Sequence, residues 1–201
     1  EAETTAKLGG VRGTAIAKSH STMQGDIPMI KAILVVDGDG KRIMARYYGA
    51  PEFPTGEAET TFEKKLYDKT MRTNAKNEAE VIMFDNIVTV YRNSADVWFY
   101  VVGSQLENEL ILVHVLMALL EALNGALRTS PDKRTLLDNF DTLMLTVDEL
   151  IDGGMILESD AAAIVNRVGM KSAESGAAGG DTASAFSSDQ SFNTMFASAR
   201  E

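Results

Sequence analysis

The sequence predicts an α+β domain in which one antiparallel sheet carries helices on both faces. Five short runs rich in β-branched, apolar and aromatic residues indicate strands, and most are joined by turns too short for a crossover. Four longer segments repeat apolar residues at helical spacing. The resulting order is β-β-α-β-β-β-α-α-α, for which a single sheet between helices is the most economical arrangement.

The first two strands are predicted to form a hairpin. Apolar runs at 30–37 and 41–48 flank Gly-Asp-Gly, and such residues supply the positive φ angles of a tight turn. A calcium loop starting at Asp37 would place Lys41 at a ligand position and Tyr48 where a glutamate is needed. A phosphate-binding loop would need another glycine spacing and a following helix. We therefore interpret the segment as a turn.

A helix separates this hairpin from three further strands. These strands are predicted at 81–84, 87–92 and 97–103, with short polar turns between them. The helix has one apolar edge, formed by Phe62, Leu66, Tyr67 and Met71.

The two helices nearest the C-terminus have clear boundary signals. The third helix is predicted to begin at the Ser-Pro-Asp segment 130–132 and to end at the Gly-Gly pair 153–154. The last helix is predicted to follow Ser159, a suitable N-cap.

The second helix, predicted over about 106–127, is apolar around its whole circumference. Such a helix must be covered on every side. The sheet and the third helix can cover two sides. Burial within the domain and burial against another chain remain alternatives for the rest.

Polar residues on these helices are candidates for a partner interface. His114 has no second histidine nearby to share a metal, so we expect a core or subdomain-interface imidazole. The polar side of the third helix forms either a solvated face or a docking surface for a basic partner. Its acidic residues are Asp138, Asp141, Asp148, Glu149 and Asp152. The candidate interface residues are His114, Met117, Glu121, Asp141, Asp148 and Asp152.

Composition and motifs disfavour several function classes. The net charge of −10 argues against non-specific nucleic-acid binding and against direct docking on anionic lipid. The chain has no cysteine, which excludes disulfides and thiolate chemistry. It also has no G-x-S-x-G, H-E-x-x-H or G-x-G-x-x-G motif, so we expect neither an enzyme nor a cofactor.

The chain is predicted to consist of one domain between two tails. We expect a mobile arm at 1–27, a folded domain at 28–170 and a disordered, Ala-, Ser- and Gly-rich tail at 171–201. No signal peptide is apparent, and the longest apolar stretch, 110–123, is shorter than the ~20 residues that span a bilayer. The predicted tail also contains four large apolar residues, Phe186, Phe192, Met195 and Phe196. They either form a short helix that docks on a groove or occur there by chance.

The predicted domain resembles the zeta subunits of coatomer, the coat of COPI vesicles. More distantly it is similar to the sigma small chains of clathrin adaptors. The resemblance covers 28–170 and lies in the joint order of several segments, none of them a catalytic signature. These segments are 33–48, 62–70, 84–104, 107–123 and 136–158.

The resemblance implies a longin-like fold, in which a five-stranded antiparallel sheet carries helices on both faces. It implies a non-enzymatic subunit bound by the large gamma subunit of coatomer, and through it joined to the beta and delta subunits. It further implies recruitment by an Arf-family GTPase to Golgi membranes and COPI vesicles, with membrane contact only indirect. The expected location is therefore cytoplasmic, with transport within the Golgi and back to the endoplasmic reticulum.

Two other functions remain open at this point. A sigma-like adaptor chain would read cargo signals directly. A freestanding longin module would regulate a SNARE or a small GTPase without a large partner.

Overall fold

The computed structural model describes residues 29–73, 75 and 78–177, and for 171–177 it describes the backbone alone. The elements are β1 (Ile30–Asp37), β2 (Arg42–Tyr47), α1 (Gly56–Thr70), β3 (Glu80–Phe84), β4 (Ile87–Ser94), β5 (Val97–Ser104), α2 (Glu109–Leu127), α3 (Lys133–Asp138), α4 (Phe140–Leu150), β6 (Ile151–Asp152), β7 (Met155–Ile156) and α5 (Ala161–Ala177).

The five long strands form one sheet in the order β2-β1-β5-β4-β3. Every neighbouring pair is antiparallel. The central strands β1 and β5 are buried almost throughout, so both faces of the sheet are covered. The predicted fold class is therefore confirmed.

Alternate residues of each strand enter two separate cores. On one face, Leu34 and Tyr100 pack with Phe62 and Leu66 of α1. On the other face, strand residues pack beneath α2, α4 and α5, as Phe99 illustrates. This second core positions the candidate interface, because α2 lies directly on the sheet.

The glycine-rich segment between β1 and β2 is a hairpin turn, as predicted. Asp37 Oδ1 accepts hydrogen bonds from the backbone N–H groups of Asp39 (2.9 Å) and Lys41 (2.8 Å). Its Oδ2 accepts one from Lys133 Nζ at 2.8 Å. Burial alone would raise the pKa of Asp37, but these donors outweigh it and hold the pKa below its usual value. The carboxylate therefore stabilises the turn and ties it to α3.

The prediction of one long third helix is wrong at two places. The helix breaks at Asn139, whose backbone has φ −125° and ψ 43°, so two helices replace one. It also ends at Leu150, before the Gly-Gly pair. Gly153 and Gly154 have positive φ and join β6 to β7 as a small hairpin instead of ending a helix.

The last helix begins one residue later than the predicted cap implies. Asp160 Oδ1 accepts the N–H of Ala162 at 3.0 Å, and the Asp160 carbonyl accepts the N–H of Ile164. Asp160 therefore occupies the N-cap position that was predicted for Ser159.

Candidate partner interface

Most of the circumference of α2 is covered within the domain. Its buried residues face β4 and β5 on one side and α4 and α5 on another. With 19 residues and a mean hydropathy of 2.0, α2 could cross a membrane by length and composition alone. Its position in the second core is sufficient to account for that composition. What remains uncovered is one stripe of the helix.

The uncovered stripe carries three of the predicted interface residues. His114 and Glu121 are exposed and Met117 is half-buried. Their spacing places them on one side of the helix. The expectation of a core imidazole at His114 is therefore wrong, because this position faces outward.

Met117 locates the stripe relative to the sheet. Its Sδ lies 3.3 Å from a guanidinium nitrogen of Arg92 on β4. The α2 stripe therefore runs along the β4 side of the domain, towards the edge strand β3.

Of the other three predicted residues, Asp148 and Asp152 lie at the opposite side of the sheet, and Asp141 lies two turns from Asp148 on the same face of α4. Asp141, Asp148 and Asp152 are all exposed. Asp148 accepts a hydrogen bond from Arg46 of β2 at 3.2 Å. Both side chains of this pair are about half exposed, so the pair contributes little to stability.

The pKa of Tyr48 gives independent evidence for the position of Asp148 and Asp152. Burial and then the charge of Asp148 raise the pKa of Tyr48 to about 12, and Asp152 adds to the effect. Both carboxylates therefore lie near the end of β2.

Glu149 does not belong to the polar side on which it was predicted. Its side chain is buried, and Arg167 of α5 donates to its Oε2 at 3.3 Å. The helical period placed Glu149 next to Asp148, but the packing of α5 on α4 covers it. This carboxylate connects two helices and is not available to a partner.

The six predicted residues thus form two groups and not one patch. One group lies beside β4 and the other beside β2, with β5 and β1 between them. Three strand spacings of about 4.8 Å separate the two flanks by roughly 14 Å. Only a partner with a broad surface can contact both groups.

A cavity of about 300 Å³ lies next to the α2 group. It could not be predicted from the sequence, because its wall contains the polar turn between β4 and β5, which carries no motif. Ala95 in that turn has a positive φ of 54°. The lining residues are Arg92, Asn93, Ser94, Ala95, Leu120, Asn124 and Ser130.

A buried polar network on the α1 face was also missed by the sequence analysis. Glu63 Oε1 accepts from Tyr47 at 2.8 Å, and Arg42 lies 2.6 Å from the same oxygen. Burial, followed by donation to Glu63, strongly raises the pKa of Tyr47. The network joins β2 to α1 and is structural. Among the residues that the structure describes, no cluster of three or more His, Cys, Asp or Glu could hold a metal ion.

Residues 29–175 match the family model of the clathrin adaptor complex small chain. The chain belongs to this family.

Particular relatives carry a more specific name. The chain is 41% identical to coatomer subunit zeta-1 of Arabidopsis thaliana over 174 residues, which is 87% of this chain and 93% of the relative. It is 40% identical to coatomer subunit zeta-2 of Homo sapiens, over 88% of this chain and 83% of that relative. The predicted resemblance to coatomer zeta subunits is confirmed.

A structural comparison also supports the fold. A chain of a homology model of the full-length AP-3 complex, in a stretched open conformation, matches with a TM-score of 0.59 at 20% identity. The match covers 75% of this chain and 98% of that one. At that identity the likeness supports the longin-like fold alone.

Proposed function

We propose that this protein is a zeta-type small subunit of the COPI coat and that the large gamma subunit binds it directly. The observation that carries the proposal is the 40% identity to coatomer zeta subunits over most of both chains. In this proposal the chain has a mechanical function and not a catalytic one. The gamma–zeta pair joins the beta and delta subunits, and an Arf-family GTPase recruits the whole coat to Golgi membranes. The protein is then cytoplasmic and peripheral on Golgi membranes and COPI vesicles, and it supports transport within the Golgi and back to the endoplasmic reticulum.

The two separated groups of candidate residues suit a large curved partner. A trunk that encloses the domain contacts the α2 stripe through His114, Met117 and Glu121 and the acidic flank through Asp141, Asp148 and Asp152. Such a contact buries ~2,000 Å² or more, the scale of an obligate interface. The acidic flank and the net charge of −10 favour a basic surface on the partner.

The test is co-expression with the trunk of the gamma subunit, followed by gel filtration with light scattering. We expect a one-to-one complex that melts at a higher temperature than the isolated chain, because binding stabilises the folded state. A stable isolated monomer that ignores the trunk would contradict the proposal.

Two variants with the same substitution assign the interface. Met117→Glu introduces a charge on the half-buried α2 stripe, and Met71→Glu introduces one at an exposed position that follows α1. We expect at least tenfold weaker binding from the first and no change from the second. Equal affinities would remove α2 from the interface.

A second candidate function rests on the cavity between β4 and α2. Arg92 and Leu120 line this cavity among mostly polar side chains, so the cavity offers a cation and one large apolar residue. The cation could pair with the acidic residue of a dileucine peptide, the ligand of a sigma-like chain. Fluorescence anisotropy with such a peptide tests this, and an Arg92→Ala variant should then bind more weakly. No binding at high micromolar concentration would exclude it.

A further inference from the structure

We propose that the open edge of the sheet, together with the outer side of α2, binds an extended apolar segment flanked by Lys or Arg. This inference rests on the proposed function, because it specifies the chemistry with which a larger coat subunit contacts this chain. We name the region the edge surface. It consists of Val81, Met83, Leu110, Val113 and Met117.

The two edges of the sheet differ in how they are protected. Edge strand β2 carries Arg42 and Arg46, which form ion pairs with carboxylates of α1 and α4. Edge strand β3 carries a single charge, Glu80 at its first position, and continues as Val-Ile-Met-Phe over 81–84. Proteins usually shield an open edge with charged side chains, because its free backbone groups can pair with another chain. By that criterion, and within the residues that the structure describes, β2 is closed to pairing and β3 is available.

The side chains of β3 project to the same face as α2. Val81 lies opposite Val90 and Met83 lies opposite Val88 in the β3–β4 register. Val88 and Val90 are completely buried in the core beneath α2, whereas Val81 is 48% and Met83 is 56% exposed. The apolar face of the sheet thus continues one strand beyond the part that α2 covers.

The outer side of α2 extends this apolar surface. Leu110 is 75% exposed, and Val113 and Met117 are half-buried on the same side of the helix. The contact of Met117 with Arg92 places that side along β4. Contiguous exposed apolar residues of this kind mark interaction sites.

The rim of the edge surface carries three carboxylates and one cation, Arg92, which contacts Met117. Glu78 precedes β3, and Glu109 and Glu121 lie on α2, all with exposed side chains. A segment with Lys or Arg at its ends complements this rim. An extended conformation lets its backbone pair with β3 while alternate apolar side chains contact Val81 and Met83.

Charge also disfavours two other occupants. A second copy of this chain would bring the same carboxylates against the rim. The chain's own segment 178–201 contains Asp181, Asp189 and Glu201 against a single Arg200. Both would add like charge, so a basic partner segment fits better.

Hydrogen exchange on the complex with the gamma trunk tests the inference. We expect backbone amides within 80–84 to exchange at least tenfold more slowly in the complex than in the isolated chain, because new strand pairing protects them. A complex that forms without protection there would overturn this inference and leave the proposed function intact. Failure of any complex to form would overturn both.

A charge substitution tests the same surface by affinity. In the variant V81K/M83K, both lysines remain solvated in the free protein, so we expect an unchanged Tm. Binding to the gamma trunk should weaken at least tenfold, because both lysines would leave water against the apolar side chains of the segment and would repel the Lys or Arg at its ends. The matched control is Met71→Lys, at a methionine of similar exposure outside the edge surface. Equal affinities for the double variant and the control would refute the inference.

Two further measurements address a double variant that does not fold and a second copy of this chain as the occupant. If V81K/M83K fails to fold, E109K/E121K replaces it, and we expect weaker binding with a smaller dependence on salt. Light scattering of the isolated chain should show a monomer. A dimer that Met83→Lys dissociates would instead assign the edge surface to a second copy and overturn the partner named here.

Discussion

Replacing Asp37 should lower the free energy of unfolding more than replacing an exposed turn residue would. The carboxylate is 2% exposed and accepts two backbone N–H groups as well as the ammonium group of Lys133. In Asp37→Ala both part-buried N–H groups lose a charged acceptor. Two hydrogen bonds to a charged group contribute about 3–6 kcal/mol, and water can replace part of this at the part-buried N–H groups, so we expect a loss of about 2–4 kcal/mol. For a domain of this size that corresponds to a Tm lower by roughly 5–15 °C.

The stabilising contribution of Asp37 should depend on pH in a direction that can be checked. The pKa of Asp37 is lower in the folded protein than in the unfolded chain. Its stabilising contribution is therefore complete above the unfolded pKa of about 4 and is lost as the pH falls through the folded pKa. The difference between wild type and Asp37→Asn should be constant from about pH 7 to 5 and should narrow below about pH 4.

Urea denaturation of wild type, the two Asp37 variants and a control at several pH values measures these effects. Asp37→Asn keeps one acceptor oxygen and loses the charge, so it should lie between wild type and Asp37→Ala. The control is Asp39→Asn, an exposed carboxylate in the same turn. Equal stability of Asp37→Ala and the control at pH 7 would refute this prediction. A difference in stability between wild type and Asp37→Asn that grows below about pH 4 would refute it too.

Four other substitutions test the packing and the candidate surface, each by thermal or urea denaturation. Gly40→Ala should cost more than about 1 kcal/mol, since Gly40 has φ +78° and an added Cβ would lie 2.7 Å from the Tyr67 ring. Gly56→Ala is the control, because a Cβ added there meets open space and should leave the stability unchanged. Leu116→Ala empties a fully buried position of α2 and should cost about 2–5 kcal/mol. Asp148→Asn should change stability by less than about 0.5 kcal/mol, because its ion pair with β2 is exposed.

The elements with strong local signals could be predicted from the sequence. The five strands lie within one or two residues of their predicted bounds, because alternating apolar runs and short turns determine their pairing locally. The hairpin at Asp37 could also be recognised as a turn, since its flanks are strands. The family could be recognised from the order of several segments and not from any single motif.

Features that depend on packing between distant segments could not be predicted. The helical period placed Glu149 on a polar face, but α5 covers it and Arg167 pairs with it. The break at Asn139 carries neither a glycine nor a proline that would have indicated it. The separation of the six candidate residues into two flanks follows from the strand order, which no local pattern encodes.

The second helix shows why an apolar circumference alone does not identify an interface. Burial against the sheet, α4 and α5 accounts for most of its apolar residues, so those positions say nothing about a partner. The evidence for a partner lies instead in the few positions that this packing leaves open. Leu110 and its neighbours on the outer stripe are apolar although the described part of the domain does not cover them, and edge strand β3, apolar over 81–84, lies beside them. An isolated soluble domain gains nothing from that combination, whereas a subunit enclosed by a larger chain buries it.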